Sequence, residues 1–312
     1  MIEHGPRGTS VLVTGGAGFI GSHLAEALCA ENEVRVVDDL SSGRATNLVG
    51  EATLVEGDIR DEAVLREAIE DVDLVFHQAA LASVPLSVED PKESHAVNAT
   101  ATLSLLELAR EEDCRVVLAS SPAIYGEPEE LPIAEDHPTR PTSPYGLDKL
   151  ALDRYATIYN DLYGVETVVL RYFNAYGPRQ ADSTYSAVIS AFLEQARSGG
   201  PITVHGDGEQ TRDFVHVSDV VRANLLAAGT DHVGEAFNVG TGVATRVRDL
   251  AELVREATGS GAEITHTDAR QGDIVHSRAD ATRARERLGF EATVTLDEGI
   301  RDLCRAVEAA DD

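Results

Sequence analysis

The chain has almost no lysine. Lys92 and Lys149 are the only two among 312 residues, and every other member of its 26 basic residues is an arginine, set against 54 acidic residues for a formal net charge of −28. A field of that sign repels nucleic acid and anionic lipid, which removes both from the candidate partners. Cysteine is scarce too: Cys29, Cys114 and Cys304 are odd in number and share no motif, which argues against a disulfide framework or a zinc site, so packing is their expected role and no metal is expected. No run of 18 uncharged apolar residues occurs, and Met1 to Ser10 lacks a charged-then-apolar leader pattern, so a soluble, cytoplasmic protein is expected. An acidic, lysine-poor surface resembles that of proteins from salt-loving organisms. At 1 M salt the Debye length is only ~3 Å, so the fold is expected to melt at higher temperature in molar KCl than in dilute buffer.

What is present has a regular rhythm. Short β-branched or apolar runs recur at Ser10–Thr14, Glu33–Asp38, Ala52–Glu56, Asp73–His77, Arg115–Ser120 and Glu166–Arg171. Helical patterns lie between several of them, at Gly18–Ala30, Asp61–Ile69, Ala96–Glu112 and Tyr145–Tyr163, the last closed by Gly164 as a C-cap. Strands alternating with helices predict an α/β fold, a doubly wound Rossmann-type parallel sheet covered on both faces. After about Phe173 the rhythm breaks into shorter elements punctuated by turns at Gly199–Pro201, Gly206–Gly208 and Gly259–Gly261. The expected division is therefore a dinucleotide-binding domain over 1–172, to which some later segments return, and a smaller α/β substrate domain over most of 173–312.

Three motifs carry chemistry. Thr14-Gly15-Gly16-Ala17-Gly18-Phe19-Ile20-Gly21 follows the first strand and opens the first helix. Glycines at 15, 18 and 21 let the backbone turn tightly, approach a pyrophosphate and pack helix on strand, with the helix N-terminus supplying N–H donors. Asp38 ends the second strand, where a carboxylate accepts from adenosine ribose hydroxyls and repels the extra phosphate of NADP; NAD is the expected cofactor, and Arg44 is the nearby residue able to read a 2′-phosphate instead. Tyr145-Gly146-Leu147-Asp148-Lys149 puts phenol and ammonium on one helical face. A tyrosine pKa near ~10 must fall by about 3 units for the phenol to act as a base near neutrality, and an ammonium and a positive nicotinamide can supply that. Such a pair arises easily by chance as a surface contact; here one of only two lysines is retained where arginine cannot supply a compact point charge. Ser121, in Ala119-Ser120-Ser121-Pro122-Ala123, lies at a strand end, where ligands of open parallel sheets bind and where serine is otherwise a turn former.

The glycine spacing, G-x-x-G-x-x-G rather than G-x-G-x-x-G, resembles the short-chain dehydrogenase/reductase superfamily. The string through Ser22-His23-Leu24 is similar to its extended branch, and nearly the whole chain resembles the UDP-glucose 4-epimerase group of NAD-dependent epimerase/dehydratases. That resemblance implies Ser121, Tyr145 and Lys149 as catalytic residues. It implies cofactor contacts at Gly15, Gly18, Phe19, Ile20 and Gly21, at Asp38, Asp39, Leu40, Ser42 and Gly43, at Asp58 and Ile59, at Ala79, Ala80 and Leu81, and at Asn98, Tyr145, Lys149, Tyr172 and Phe173. Substrate contacts are implied at Ser121, Asn174, Ala187, Val188, Val204, His205, Arg212, Arg270, Asp273 and Ser277, the arginines holding a diphosphate and Asp273 a ribose hydroxyl.

Departures from the family pattern inform as well. Dehydratases and decarboxylases of the superfamily place an acid just after the catalytic Ser/Thr, where this chain has Pro122 and Ala123; the glycine usual after Asn98 is Ala99. The resemblance implies oxidation and re-reduction at C4 of a UDP-sugar, with the small Ser277 admitting N-acetyl sugars beside UDP-glucose and UDP-galactose, and a homodimer formed through Ala96–Glu112 and Tyr145–Tyr163. Two alternatives stay open: a 4-ketosugar reductase or uronate epimerase on the same scaffold, and a non-catalytic NAD sensor.

Overall fold

The computed structural model describes residues 5–180, 188–269 and 274–311. The chain runs β1 (Ser10–Thr14), α1 (Phe19–Leu28), β2 (Glu33–Asp38), β3 (Thr53–Glu56), α2 (Glu62–Ile69), β4 (Leu74–His77), α3 (Val84–Glu89), α4 (Pro91–His95), α5 (Ala101–Glu112), β5 (Arg115–Ser120), α6 (Pro144–Tyr163) and β6 (Thr167–Tyr172). It continues with β7 (Asn174–Tyr176), α7 (Val188–Ser198), β8 (Ile202–His205), β9 (Thr211–Arg212), β10 (Phe214–His216), α8 (Val217–Ala228), β11 (Glu235–Val239), β12 (Thr245–Arg246), α9 (Val247–Ala257), β13 (Ile264–Thr267) and α10 (Leu296–Asp311).

Seven strands form one parallel sheet in the order β3-β2-β1-β4-β5-β6-β11. Successive side chains of β1 alternate faces: Val11 and Val13 enter the core shared with α1 and α8, while Leu12 enters the one shared with α2, α5 and α6. Both faces are dry, which is why these strands read as nearly continuous apolar runs. Fully buried side chains such as Leu24 and Leu105 each contribute roughly 1.5–3 kcal/mol. The strand order reverses between β1 and β4, and a ligand crevice opens at such a switch point, beyond the strands' carboxyl ends.

The smaller region has its own core, with Ile189, Phe192, Val204, Leu250, Val254 and Ile300 buried among α7, α9, β8 and α10. Its strands pair only two by two, β7 with β10, β9 with β12 and β8 with β13. Later segments return across the 172/173 division: α8 packs on the sheet's first face, β11 extends the sheet beside β6, and Ala284, Leu288 and Phe290 join the same core. Helix ends follow ordinary capping chemistry. Gly164 closes α6 at φ 75°, and Asp61 opens α2 by accepting from Ala63 N–H.

Candidate active site

Only glycine fits the turn after β1. Gly15 has φ 67°, and a Cβ there would lie 2.6 Å from the Ala79 nitrogen; at Gly21 it would lie 2.2 Å from the Gly15 oxygen. This close approach seats α1 over the crevice. Gly18 caps α1 without a side-chain hydrogen bond, leaving its first N–H groups to a ligand. The buried Asp38 carboxylate accepts from Ala17 and Leu40 N–H, both at 2.9 Å, and the absent Cβ of Gly43 faces it. Burial pushes the Asp38 carboxyl up, against the pull of those hydrogen bonds. Asp39 and Ser42 are exposed beside it, Asp39 accepting from Ser41. At the end of β3, Asp58 is held by Arg60, whose guanidinium lowers the carboxyl, and Ile59 is buried.

On the other side of the crevice, Ala79, Ala80 and Leu81 follow β4. Ala79 N–H donates to the Thr14 hydroxyl, while Asn98 accepts from Leu81 N–H at 3.0 Å and donates to Leu81 carbonyl oxygen and to Ser94. The Asn98 carboxamide thus fixes the loop beneath the crevice. It sits in a π-helical turn, Ala96–Thr100, that interrupts the expected helix, and Ala99 is buried inside that wide turn. His77 bridges the Thr14 and Thr102 hydroxyls at 2.8 and 2.9 Å; burial, then the charge of Lys149, pushes its ring down to about 3. Tyr172 donates to Asn224, and Phe173 is packed with Tyr125.

Ser121, Tyr145 and Lys149 come together at the carboxyl end of β5. The α6 helix begins where Ser143 accepts from Gly146 N–H and Pro144 supplies the first turn, so Tyr145 lies at the helix mouth with its own N–H on Ser87. Gly146 lets α6 approach the Pro122–Ile124 turn, since a Cβ would lie 2.6 Å from the Ala123 oxygen. That approach brings the Ser121 hydroxyl near enough to the Tyr145 phenol to favour its ionised form; burial outweighs this and pushes the phenol up. Ser121 also accepts from Ala123 N–H, so it is turn former and site residue together. Lys149, 3 % exposed, donates to Ala119 carbonyl at 2.8 Å and lies 6.0 Å from the Tyr145 ring centre. Burial pushes its ammonium down to about 8, against Asp153 and Asp148.

Across the cleft, Asn174 is half-buried, with its N–H on Asp213 carbonyl, and Arg212 is buried at the end of β9. Val188 begins α7, half-buried, and His205 bonds Thr267 and the Asp268 carbonyl. Val204 is wholly inside the second core, so only its backbone can meet a ligand. Ser277 is 1 % exposed, its N–H on Thr211 and its hydroxyl without a partner among the described residues. Ala187, Arg270 and Asp273 lie outside the described residues.

The glycine turn, the buried Asp38 carboxylate and the Ser/Tyr/Lys cluster all lie at the carboxyl ends of the parallel strands β1, β2 and β5. Residues 11–240 match the profile of the NAD dependent epimerase/dehydratase family. The chain belongs to that family. It is 41 % identical over 298 residues to a UDP-glucose 4-epimerase of Mycolicibacterium smegmatis, covering 93 % of this chain and 95 % of that protein. Its fold is similar to that of a UDP-N-acetylglucosamine 4-epimerase from Methanobrevibacter ruminantium in complex with UDP-N-acetylmuramic acid: TM-score 0.94, 36 % identity, 98 % of this chain and 100 % of that one. It is also similar to Thermus thermophilus UDP-glucose 4-epimerase in complex with NAD: TM-score 0.91, 38 % identity, 96 % and 99 % covered.

Within this family member, sequence reasoning passed over the residues that brace the site. Ser87 receives the Tyr145 N–H, Thr102 receives His77, and Asp213 accepts from Thr241, Gly242 and Ala279. Only Asp153, four residues after Lys149 on α6, carried a local signal in its helical spacing.

Proposed function

We propose that this protein is an NAD-dependent UDP-sugar 4-epimerase. The observation that carries the reading is the gathering of Ser121, Tyr145 and the buried Lys149, whose nitrogen lies 6.0 Å from the Tyr145 ring centre and 2.8 Å from the Ala119 carbonyl, at the strand ends where the glycine cradle opens. The cradle fits NAD: Gly15, Gly18 and Gly21 leave room and N–H donors for its pyrophosphate, and Asp38 takes the adenosine ribose. Phe19, Ile20, Asp39, Leu40, Ser42, Gly43, Asp58, Ile59, Ala79, Ala80, Leu81, Asn98, Tyr172 and Phe173 line the rest of that path. When bound, NAD supplies the acceptor and donor for the hydride of sugar C4.

The chain's own residues handle the proton and the geometry. Tyr145 as phenolate takes the proton from the sugar 4-hydroxyl, Ser121 holds the oxygen, and Lys149 keeps a positive charge beside the phenolate and two N–H donors for the cofactor ribose. A ketone at C4 results, and return of the proton from Tyr145 after the sugar has turned over inverts that carbon. Arg212 and Arg270 anchor the diphosphate through the turn, with Asn174, Asp273, Ala187, Val188, Val204 and His205 around the nucleotide. Pro122 and Ala123 offer no acid to remove a second group. The small, buried Ser277, its hydroxyl without a partner among the described residues, leaves room at the sugar's 2-substituent, so N-acetyl sugars are accepted beside UDP-glucose and UDP-galactose.

The protein works in the cytoplasm as a homodimer, in concentrated salt. An apolar stripe on α6, with Leu147, Ile158 and Leu162 each more than two-fifths exposed, supports the pairing, and the net charge of −28 supports the salt. The test is to incubate the protein in molar KCl with NAD and, separately, UDP-galactose, UDP-N-acetylglucosamine and UDP-glucuronate, following anomeric protons by NMR. Interconversion of 4-epimers without NADH accumulation is expected for the first two. Net NADH formation, or conversion of the glucuronate alone, would overturn the reading.

A further inference from the structure

The wall behind the catalytic cluster contains a buried ion pair that no step above uses. Asp153 lies one helical turn beyond Lys149 on α6, the two being 4 % and 3 % exposed. Arg171 on β6 grips a single oxygen of Asp153, with its Nε at 2.7 Å and a terminal nitrogen at 2.6 Å from Oδ2. The other guanidinium nitrogen donates to the Tyr125 hydroxyl at 2.7 Å and the Glu135 carbonyl at 2.9 Å. Asp153 Oδ1 is buried with no hydrogen-bond partner; the Ser120 hydroxyl lies near enough to favour the anion, although no bond of ordinary geometry joins them.

We propose that Asp153 is a positioning residue for the reaction: clamped by Arg171 through one oxygen and buried one helical turn from Lys149, it sets the field that keeps that ammonium charged beside Tyr145. The inference rests on the assignment of Lys149 to the reacting cluster. The charges around that ammonium leave few rivals for the role. Asp148, its neighbour on α6, also favours the ammonium but less than Asp153 does, and its two oxygens are turned to Ser94 and His95 of α4, at 2.7 and 2.9 Å. From β4, His77 is kept neutral by burial and by the charge of Lys149 itself; from β5 the Ala119 carbonyl accepts from the ammonium. Arg171 is itself a cation, and its counter-ion is Asp153; Glu135, further along, is 3.6 Å from Arg283. Removing the Asp153 charge would leave two cations, Lys149 and Arg171, in a dry wall, and the one able to shed its proton is Lys149.

Two lysines in the chain make the test direct. In protein labelled with 13C and 15N at the lysine side-chain ends, NMR shows two signals, and Lys92→Arg assigns them. Lys149 is expected to titrate near about 8 in the wild type and at least about one unit lower in Asp153→Asn. The alkaline fall of kcat should move by the same interval, with KM for the UDP-sugar little changed, and Asp153→Glu should restore most of both. Asp153→Asn paired with Arg171→Met removes both charges and guards against misfolding; Lys149 is expected to recover part of the fall in it, since the second cation is gone, while staying below the wild type. A Lys149 titration unmoved in both variants, with only the melting temperature lowered, would overturn the proposal. Because the NMR signal needs no turnover, a wild type with the Lys149 shift but no epimerisation would refute the functional reading and leave this inference standing.

Discussion

Around the seven-stranded sheet, alternate side chains of long parallel strands enter two dry cores, whereas in the smaller region strands of two to four residues are tied together by buried carboxylates. Asp213, with no exposed surface, accepts from Thr241 N–H and hydroxyl at 2.8 and 2.7 Å, Gly242 N–H at 2.9 Å and Ala279 N–H at 3.0 Å. At the border with the sheet, Asp219 on α8 gathers the N–H groups of Thr293 and Val294 in the same way, and Glu135 takes the N–H of Asn238 on β11. The first region is held by area removed from water; the second adds to a smaller core acceptors with several lone pairs each. A cofactor that lies along strand ends suits a stiff frame; a nucleotide that must hold while its sugar turns suits a site whose loops are pinned at points.

The largest effect should come where the two regions meet. Tyr145→Phe removes the proton acceptor, and turnover should fall by about 10²–10⁴-fold while binding of NAD and UDP stays near normal. Near-normal turnover would refute the role given to the phenol. Asp213→Ala should separate the regions: several buried N–H groups lose an acceptor at roughly 1–3 kcal/mol each, so affinity for UDP should collapse while NAD still binds in calorimetry. Equal loss of both would show that the regions are not independently braced.

Acid should probe the frame. The buried His77 ring is held down to about 3, so the neutral imidazole's contribution is complete above the unfolded pKa of about 6.5 and is lost as pH falls from there toward about 3. The slope is roughly 1.4 kcal/mol per pH unit. Unfolding free energies of the wild type and His77→Gln, measured at pH 7 and pH 5, should therefore converge at the lower pH; a constant gap would deny the burial effect. The smallest effect is expected from Gly21→Ala, whose new methyl meets the Gly15 oxygen. It should cost about 1–3 kcal/mol, read as weaker NAD binding with UDP binding spared, the mirror of Asp213→Ala.

The same contrast decides how much could be read from the residues alone. Ser10–Thr14, Glu33–Asp38 and Arg115–Ser120 declare themselves as strands because both faces are apolar, and the structure gives β1, β2 and β5 those bounds. The glycine turn was legible because a missing Cβ is visible in a sequence. The strand β11, Glu-Ala-Phe-Asn-Val, was not: only two of its five residues are β-branched or aromatic, and its place beside β6 depends on pairing Glu235 with Val168 and Val239 with Tyr172, far back along the chain. The π turn at Ala96–Thr100 interrupts a helical period too briefly to register. Asp213 looked like one more charge in an acidic chain, since nothing local tells a carboxylate that collects distant N–H groups from one that faces water.

The most direct test of the account follows the hydrogen on the reacting carbon. UDP-galactose carrying deuterium at C4 should give UDP-glucose with that deuterium kept at C4 and none exchanged with solvent, since only the hydroxyl proton passes through Tyr145. Solvent hydrogen at C4 of the product would contradict oxidation and re-reduction at that carbon, and with it the roles given to Ser121, Tyr145 and Lys149.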